Sequence, residues 1–86
     1  MKLLALIESL LFVADHAVTI ENLATALDTT AEDVEMTLQT LTQEYKERGI
    51  RIQRKGDRLQ LVSAPEAGEW IERFLGLEIS GKLSSA

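Results

Sequence analysis

A change of hydrophobic period at Gly49 constrains this chain more than any other feature. Before it, Val34, Leu38, Leu41 and Tyr45 recur at spacings of four, three and four. After it, "IRIQRKGDRLQLV" alternates between apolar and polar residues. The first spacing marks one face of a helix, the second one face of a strand. The chain must therefore attach a hairpin to a set of helices. A two-residue Gly56-Asp57 turn sets Lys55 opposite Arg58 and Ile52 opposite Leu61, so that Ile50, Ile52, Leu59 and Leu61 share a face. A three-residue loop would pair Ile52 with Gln60 and mix the faces, so the two-residue register is expected, with a wing over 51–62.

The helices follow from the same reasoning. Residues 2–15 present a stripe of Leu3, Ile7, Leu10 and Ala14, flanked by Leu6 and Val13 on one side and Leu4 and Leu11 on the other. Phe12 falls outside this arc. "HAVTI" is too short for a helix and β-branched enough to add a residue or two to a sheet edge. Thr19 can cap a short helix over 20–27 with Leu23, Ala24 and Leu27 inward. Asp28-Thr29-Thr30 is a turn. Thr29 with Glu32, or Thr30 with Asp33, makes a capping box for a helix over 31–48 that Gly49 ends. Ser63-Ala64-Pro65-Glu66 reads as another capping box, opening a helix that runs to about residue 75 and carries Trp70, Ile71, Phe74 and Leu75. Helix, short strand, helix, helix, hairpin, helix is the order of a winged helix. The expected class is α+β, mostly helical: a winged helix-turn-helix with a two-stranded wing and an extra C-terminal helix. It occupies 1–76, and 77–86 is a linker or the truncated start of a second winged helix.

Composition excludes several functions. With 86 residues and 45% hydrophobic content the chain can form one small core, but a marginal one. No cysteine is present, which rules out a disulfide scaffold and thiolate metal sites. In "MKLLALIESLLFVADHA", Glu8 and Ser9 interrupt the apolar run and no small-residue cleavage site precedes Asp15, so neither a signal peptide nor a membrane span is expected. His16 is the sole histidine, placed where it would cap carbonyls rather than catalyse. Glu32, Asp33 and Glu35 lack the spacing of a calcium loop and suit a first helical turn. "GLEISGKL" nearly spells a phosphate-binding loop, but Leu83 replaces the hydroxyl and no strand precedes it. No enzyme, metal, cofactor or small-molecule ligand is expected.

Charge is unevenly distributed. Residues 1–45 carry −7, 46–58 carry +4 and 59–86 carry −2. The third helix would be the DNA-reading helix of a winged helix. Its outer face holds Glu32, Asp33, Met36, Thr40, Gln43 and Glu47, with no lysine or arginine, and such a face repels phosphates. Met36, Thr40 and Gln43 are instead an alternative protein-contact face. The wing offers Arg51, Arg54, Lys55 and Arg58, for which three readings stand: phosphate contacts, an acidic protein partner, or solubility of an exposed hairpin. Phe12, Trp70 and Phe74 exceed what one small core can bury and are the expected homodimer interface.

"IESLLFVADHAVTIENLATAL" at 7–27 and "LTQEYKERGIRIQRKGDRLQLVSAPE" at 41–66 resemble the N-terminal domain of the segregation and condensation protein B (ScpB) family. The matching elements are Ile7-Glu8, Leu10-Leu11-Phe12-Val13, Leu23 with Leu27, Tyr45, Arg48-Gly49-Ile50, Leu59-Gln60-Leu61-Val62 and Pro65-Glu66. "KLSSA" at 82–86 resembles the lead into the family's second winged helix. The resemblance implies a homodimerising protein-interaction module of a bacterial condensin, acting in chromosome condensation and segregation with the kleisin ScpA and an SMC ATPase. It also implies a cytoplasmic location, associated with the nucleoid through the SMC complex. The competing class is a winged-helix transcription regulator that contacts DNA through its basic wing. The acidic third helix favours the first, and no direct DNA binding is expected.

Overall fold

The computed structural model describes residues 1–80. The order is α1 (Leu3–Val13), β1 (Val18–Thr19), α2 (Ile20–Ala26), α3 (Ala31–Glu44), β2 (Ile50–Lys55), β3 (Arg58–Ser63), a 3₁₀ turn (Pro65–Ala67) and α4 (Gly68–Ser80). The three strands form an antiparallel sheet in the order β1-β3-β2. This is the winged helix the periodicities predicted.

Local chemistry sets the joints. Thr19 Oγ1 accepts from the Asn22 amide and caps α2. At the other end Asp28 adopts a left-handed φ of 53°, which aspartate tolerates better than most residues. The Thr29 amide then reaches the Ala24 carbonyl and the Asp28 amide the Thr25 carbonyl. These two bonds are a Schellman closure, satisfying carbonyls the helix leaves open. Thr30 is the N-cap of α3, accepting from the Asp33 amide at 3.0 Å. The alternative cap residue, Thr29, hydrogen-bonds the Asp33 carboxylate at 3.3 Å. In the hairpin Gly56 has a φ of 65°, as a type II′ turn requires of its first central residue. The register is the expected one, Lys55 opposite Arg58 and Ile52 opposite Leu61.

The core lies between the three helices and the inner face of the sheet. Ile7, Leu11, Ile20, Leu23, Ala24, Val34, Leu38, Leu41, Tyr45 and Leu59 are buried, and Ile52 and Leu61 pack against them. The α3 stripe was fully legible: Val34, Leu38, Leu41 and Tyr45 are at most 4% exposed.

Four local expectations are corrected. Helix α3 ends at Glu44, not residue 48. The Lys46 amide bonds the Gln43 carbonyl and the Arg48 amide the Tyr45 carbonyl, a tightening to three-residue spacing that unwinds the last turn. Gly49 therefore does not end the helix; its carbonyl accepts from the Ala64 amide at 2.8 Å and extends the hairpin ladder. Helix α1 buries Ile7 and Leu11, so its core face is turned towards Leu11 and leaves Val13, expected at the edge of the stripe, exposed. Ser63 forms no capping box: the cap is Ala64, without a side-chain bond, and Pro65 opens a 3₁₀ turn. Finally α4 continues past residue 75 to Ser80, taking in the first residues of the expected linker; 81–86 lie outside the described residues.

Candidate protein-interaction surfaces

Helix α3 carries Glu32, Asp33, Glu35 and Glu44 and no basic residue. Met36, Thr40 and Gln43 lie exposed on its outer side. Thr40 and Gln43 line an open groove of about 630 Å³ between α3 and the wing, with Leu38, Gln39, Ile52 and Arg54 among its other walls. Met36 does not line it.

The four wing cations separate into two pairs. Arg54 lies two residues beyond Ile52, on the inner face of β2. Its guanidinium forks onto Glu35 of α3 at 2.5 and 3.0 Å and donates to the Gly56 carbonyl at 2.8 Å. That hydrogen bond holds the Glu35 carboxyl below the usual carboxylate range and pushes the Arg54 guanidinium further up. Arg51 donates to Glu66 at 2.8 Å and to the Arg48 carbonyl. Its hydrogen bond lowers the Glu66 pKa. Lys55 and Arg58 face each other beside the turn and make no ion pair among the described residues. Half of the cationic surface a DNA-binding wing would use is thus already occupied by carboxylates of the same chain.

A second groove, about 360 Å³, is largely apolar and runs between α1 and the hairpin. Phe12, Val13, Ile50 and Leu61 form its walls. Phe12 and Val13 are 77% and 72% exposed. At its base the Tyr45 hydroxyl donates to a Glu8 carboxylate oxygen. Burial first, then that neighbouring carboxylate, push the Tyr45 phenol up to about 12. The pair joins α1 to the end of α3, and among the described residues none of α4 lines the groove.

Helix α4 has its main contact with the adjoining 3₁₀ turn. Trp70, Phe74, Leu75 and Ile79 are 61, 53, 50 and 88% exposed. Ile71 is half-buried, and Arg73 sits over the Trp70 ring at 4.7 Å from its centroid. Of the two adjacent apolar pairs, Ile71 and Trp70 divide between body and solvent as expected, whereas Phe74 and Leu75 both face solvent. Sequence reasoning missed Leu75 and Ile79 as surface residues, although Ile71, Leu75 and Ile79 repeat at the four-residue spacing of one face. It also missed the Arg54–Glu35 and Tyr45–Glu8 pairs. A buried tyrosine needs a hydroxyl partner, and Glu8, interrupting the apolar run of α1, was the available signal.

His16 is exposed, with Nδ1 3.0 Å from the Ala17 carbonyl oxygen. Of "GLEISGKL", Gly76–Ser80 is helical and Gly81–Leu83 lie outside the described residues. Among the described residues no helix is long and apolar enough to cross a membrane.

Three helices, the third of them acidic, and a wing define a winged-helix domain. A family model for the segregation and condensation complex subunit ScpB matches residues 5–86. The chain belongs to that family. It is 34% identical over 87 residues to segregation and condensation protein B of Clostridium botulinum, covering 99% of this chain and 45% of the relative. It is 38% identical over 82 residues to that of Caldanaerobacter subterraneus, covering 93% and 49%. The chain thus spans about half the length of the curated relatives it matches. ScpB from Mycobacterium tuberculosis superposes with a TM-score of 0.79 at 27% identity, over 85% of this chain and 47% of that one. A dimer of an ScpB N-terminal domain complexed with an ScpA peptide has a TM-score of 0.75 at 23% identity, over 83% and 91%; at that identity the likeness concerns the fold.

Proposed function

We propose that this chain is the homodimerisation and protein-interaction module of a bacterial condensin subunit, without enzymatic activity. The observation that carries the reading is α4: four large apolar residues, Trp70, Phe74, Leu75 and Ile79, lie at least half exposed on one helix. Exposed apolar surface of that extent on a small domain marks an interface. Phe12, on a separate element, adds to it. In the full-length protein the module acts in chromosome condensation and segregation with the kleisin ScpA and an SMC ATPase, in the cytoplasm and on the nucleoid. Family membership supports that context, as does the related N-terminal domain solved as a dimer with an ScpA peptide. The outer residues Met36, Thr40 and Gln43 of α3 remain the alternative protein-contact face. The acidity of α3 and the internal pairing of Arg51 and Arg54 weigh against the DNA-binding alternative.

Light scattering tests the reading. A chain of 9.6 kDa should give about 19 kDa as a two-fold dimer, and Trp70→Glu should give a folded monomer. A wild-type mass of 9.6 kDa at high micromolar concentration overturns it.

A further inference from the structure

The sheet has an open edge on its wing side. Strand β3 is paired on both sides, and β2 on one only. The Gly49 carbonyl accepts from the Ala64 amide, which fixes the parity of the ladder, because bonded and non-bonded pairs alternate along antiparallel strands. Arg51, Gln53 and Lys55 therefore exchange main-chain bonds with Val62, Gln60 and Arg58. The amides and carbonyls of Ile50, Ile52 and Arg54 turn to the open side, and among the described residues nothing pairs with them. Along this edge runs the groove of about 630 Å³ between α3 and the wing. Its floor is apolar, from Leu38, Ile52 and Leu59, and its α3 wall presents the uncharged Gln39, Thr42 and Gln43.

An edge strand that stays idle is normally blunted by proline, by a bulge or by charge turned inward. Strand β2 contains no proline and pairs without a break from Ile50 to Lys55. Its one inward charge, Arg54, is drawn onto Glu35 of α3. The other inward positions are isoleucines, and Ile50 is 43% exposed.

We propose that the free edge of β2 is a strand-addition site for an extended segment of another protein, with acidic side chains on its outward face and apolar ones on its inward face.

The main chain selects an extended polypeptide. Donors and acceptors alternate along the edge, which matches a second backbone and does not match a row of phosphates, all of them acceptors. Such a ladder supplies affinity, and alternate side chains supply specificity. Inward side chains of the added strand enter the groove over Leu38 and Ile52. Outward ones lie beside Arg51, Gln53 and Lys55. Arg51 already holds Glu66, whereas Lys55 and the facing Arg58 make no ion pair among the described residues. Opposite charges on neighbouring strands stabilise their pairing, so acidic outward residues fit here. This site is separate from the homodimer surface and does not rest on it: neither Phe12, Trp70 nor Phe74 lines the groove.

An NMR titration of the whole chain, labelled with ¹⁵N, tests the site. The probe is the capped peptide Ser-Glu-Val-Thr-Val-Glu-Ser, which reads the same in either strand direction. Before it is added, the Ile52 amide should exchange faster than the Gln53 amide. Adding it should move the Ile50, Ile52 and Arg54 amide resonances and slow exchange at Ile52, while the resonances of α4 stay in place. The counterpart Ser-Lys-Val-Thr-Val-Lys-Ser should bind more weakly. Lys55→Glu places a carboxylate opposite Arg58, so the hairpin should stay folded. It should weaken the acidic peptide by up to about fivefold, the size of one exposed cross-strand pair, and strengthen the lysine one. No response at Ile52 up to several millimolar peptide overturns the site, and so does equal binding of the two peptides. Ile52 exchange that slows with protein concentration alone also overturns it, because a second copy then covers the edge. The mass of the wild type bears only on the homodimer reading.

Discussion

Helices α3 and α4 are of nearly equal length, 14 and 13 residues, and both are amphipathic, yet only α3 has found a core. Its stripe of Val34, Leu38, Leu41 and Tyr45 is buried against α1, α2 and β3. On α4, Trp70, Phe74, Leu75 and Ile79 are at least half exposed. What differs is the neighbourhood. The chain reaches α3 by a tight Schellman turn from α2, and it reaches α4 from β3 through a 3₁₀ turn. Amphipathicity says which face of a helix seeks cover. It does not say which molecule supplies it.

The comparison can be broken most directly by equal truncations. Leu41→Ala should destabilise the domain by about 2–5 kcal/mol, as large-to-small changes in a packed core do. Leu75→Ala, read by thermal unfolding at a concentration that keeps the chain monomeric, should change stability by no more than ~0.5 kcal/mol, as for a surface site. Comparable losses would mean that α4 packs on its own body after all.

A smaller effect sharpens the α3 side. Tyr45→Phe leaves the half-buried Glu8 carboxylate without its donor and should cost ~1–3 kcal/mol. The wild type should also carry an alkaline limb. The folded phenol, pushed up to about 12, lies above the ordinary value near 10. Its contribution is therefore complete below about pH 10 and is lost as pH rises through 12. Absorbance titration of this single tyrosine, with stability measured alongside, checks both the value and the sign. A phenol that titrates at the ordinary value would remove the pair.

The core and the wing register were legible because both depend on period alone. Val34, Leu38, Leu41 and Tyr45 announce their face, and Ile52 can be paired only with Leu61 if apolar residues are to share a side. The end of α3 was not legible. Tyr45 is both the last core residue and the helix cap, and no breaker precedes Gly49. The division of the wing cations was within reach but was not drawn: the alternation that turns Ile52 inward turns Arg54 inward too. That its partner would be Glu35 depends on how closely α3 passes the sheet, which no local pattern encodes. The exposure of α4 was half legible, since adjacent apolar pairs on a helix cannot all face one body.

A weaker effect follows from the wing. At about 150 mM salt the wild type should bind duplex DNA no better than the weak end of the ~10⁻⁴ to 10⁻⁶ M non-specific range. Replacing Glu35 and Glu66 together by glutamine releases Arg54 and Arg51. Binding should then tighten at low salt, and the dependence on log salt should steepen by up to ~0.9 for each phosphate gained. An unchanged slope would show that the carboxylates do not mask the wing.

The smallest effect lies at acid pH. Glu35 and Glu66 both titrate below the usual carboxylate range in the folded chain. Their stabilisation is present at neutral pH and is lost as pH falls through those lowered values. The fall in melting temperature from pH 7 to pH 3 should therefore be slightly shallower in the doubly substituted chain.

The position of β1 has a consequence for how the domain assembles. Its two residues reach across about forty positions of chain to pair with Leu59 and Arg58, and the Ile20 amide adds one bond to the Asp57 carbonyl. Each of the two parts it joins, the trio α1–α3 and the β2–β3 hairpin, is made of near neighbours in sequence, which find each other quickly. The seam between them must wait for a long loop to close, and it is held by few bonds. The order of events is then two local structures first and their weld last. In the native state, amide exchange at Ile20, whose N–H is held across the seam, measured against the exposed end of α1, would time how often the weld parts.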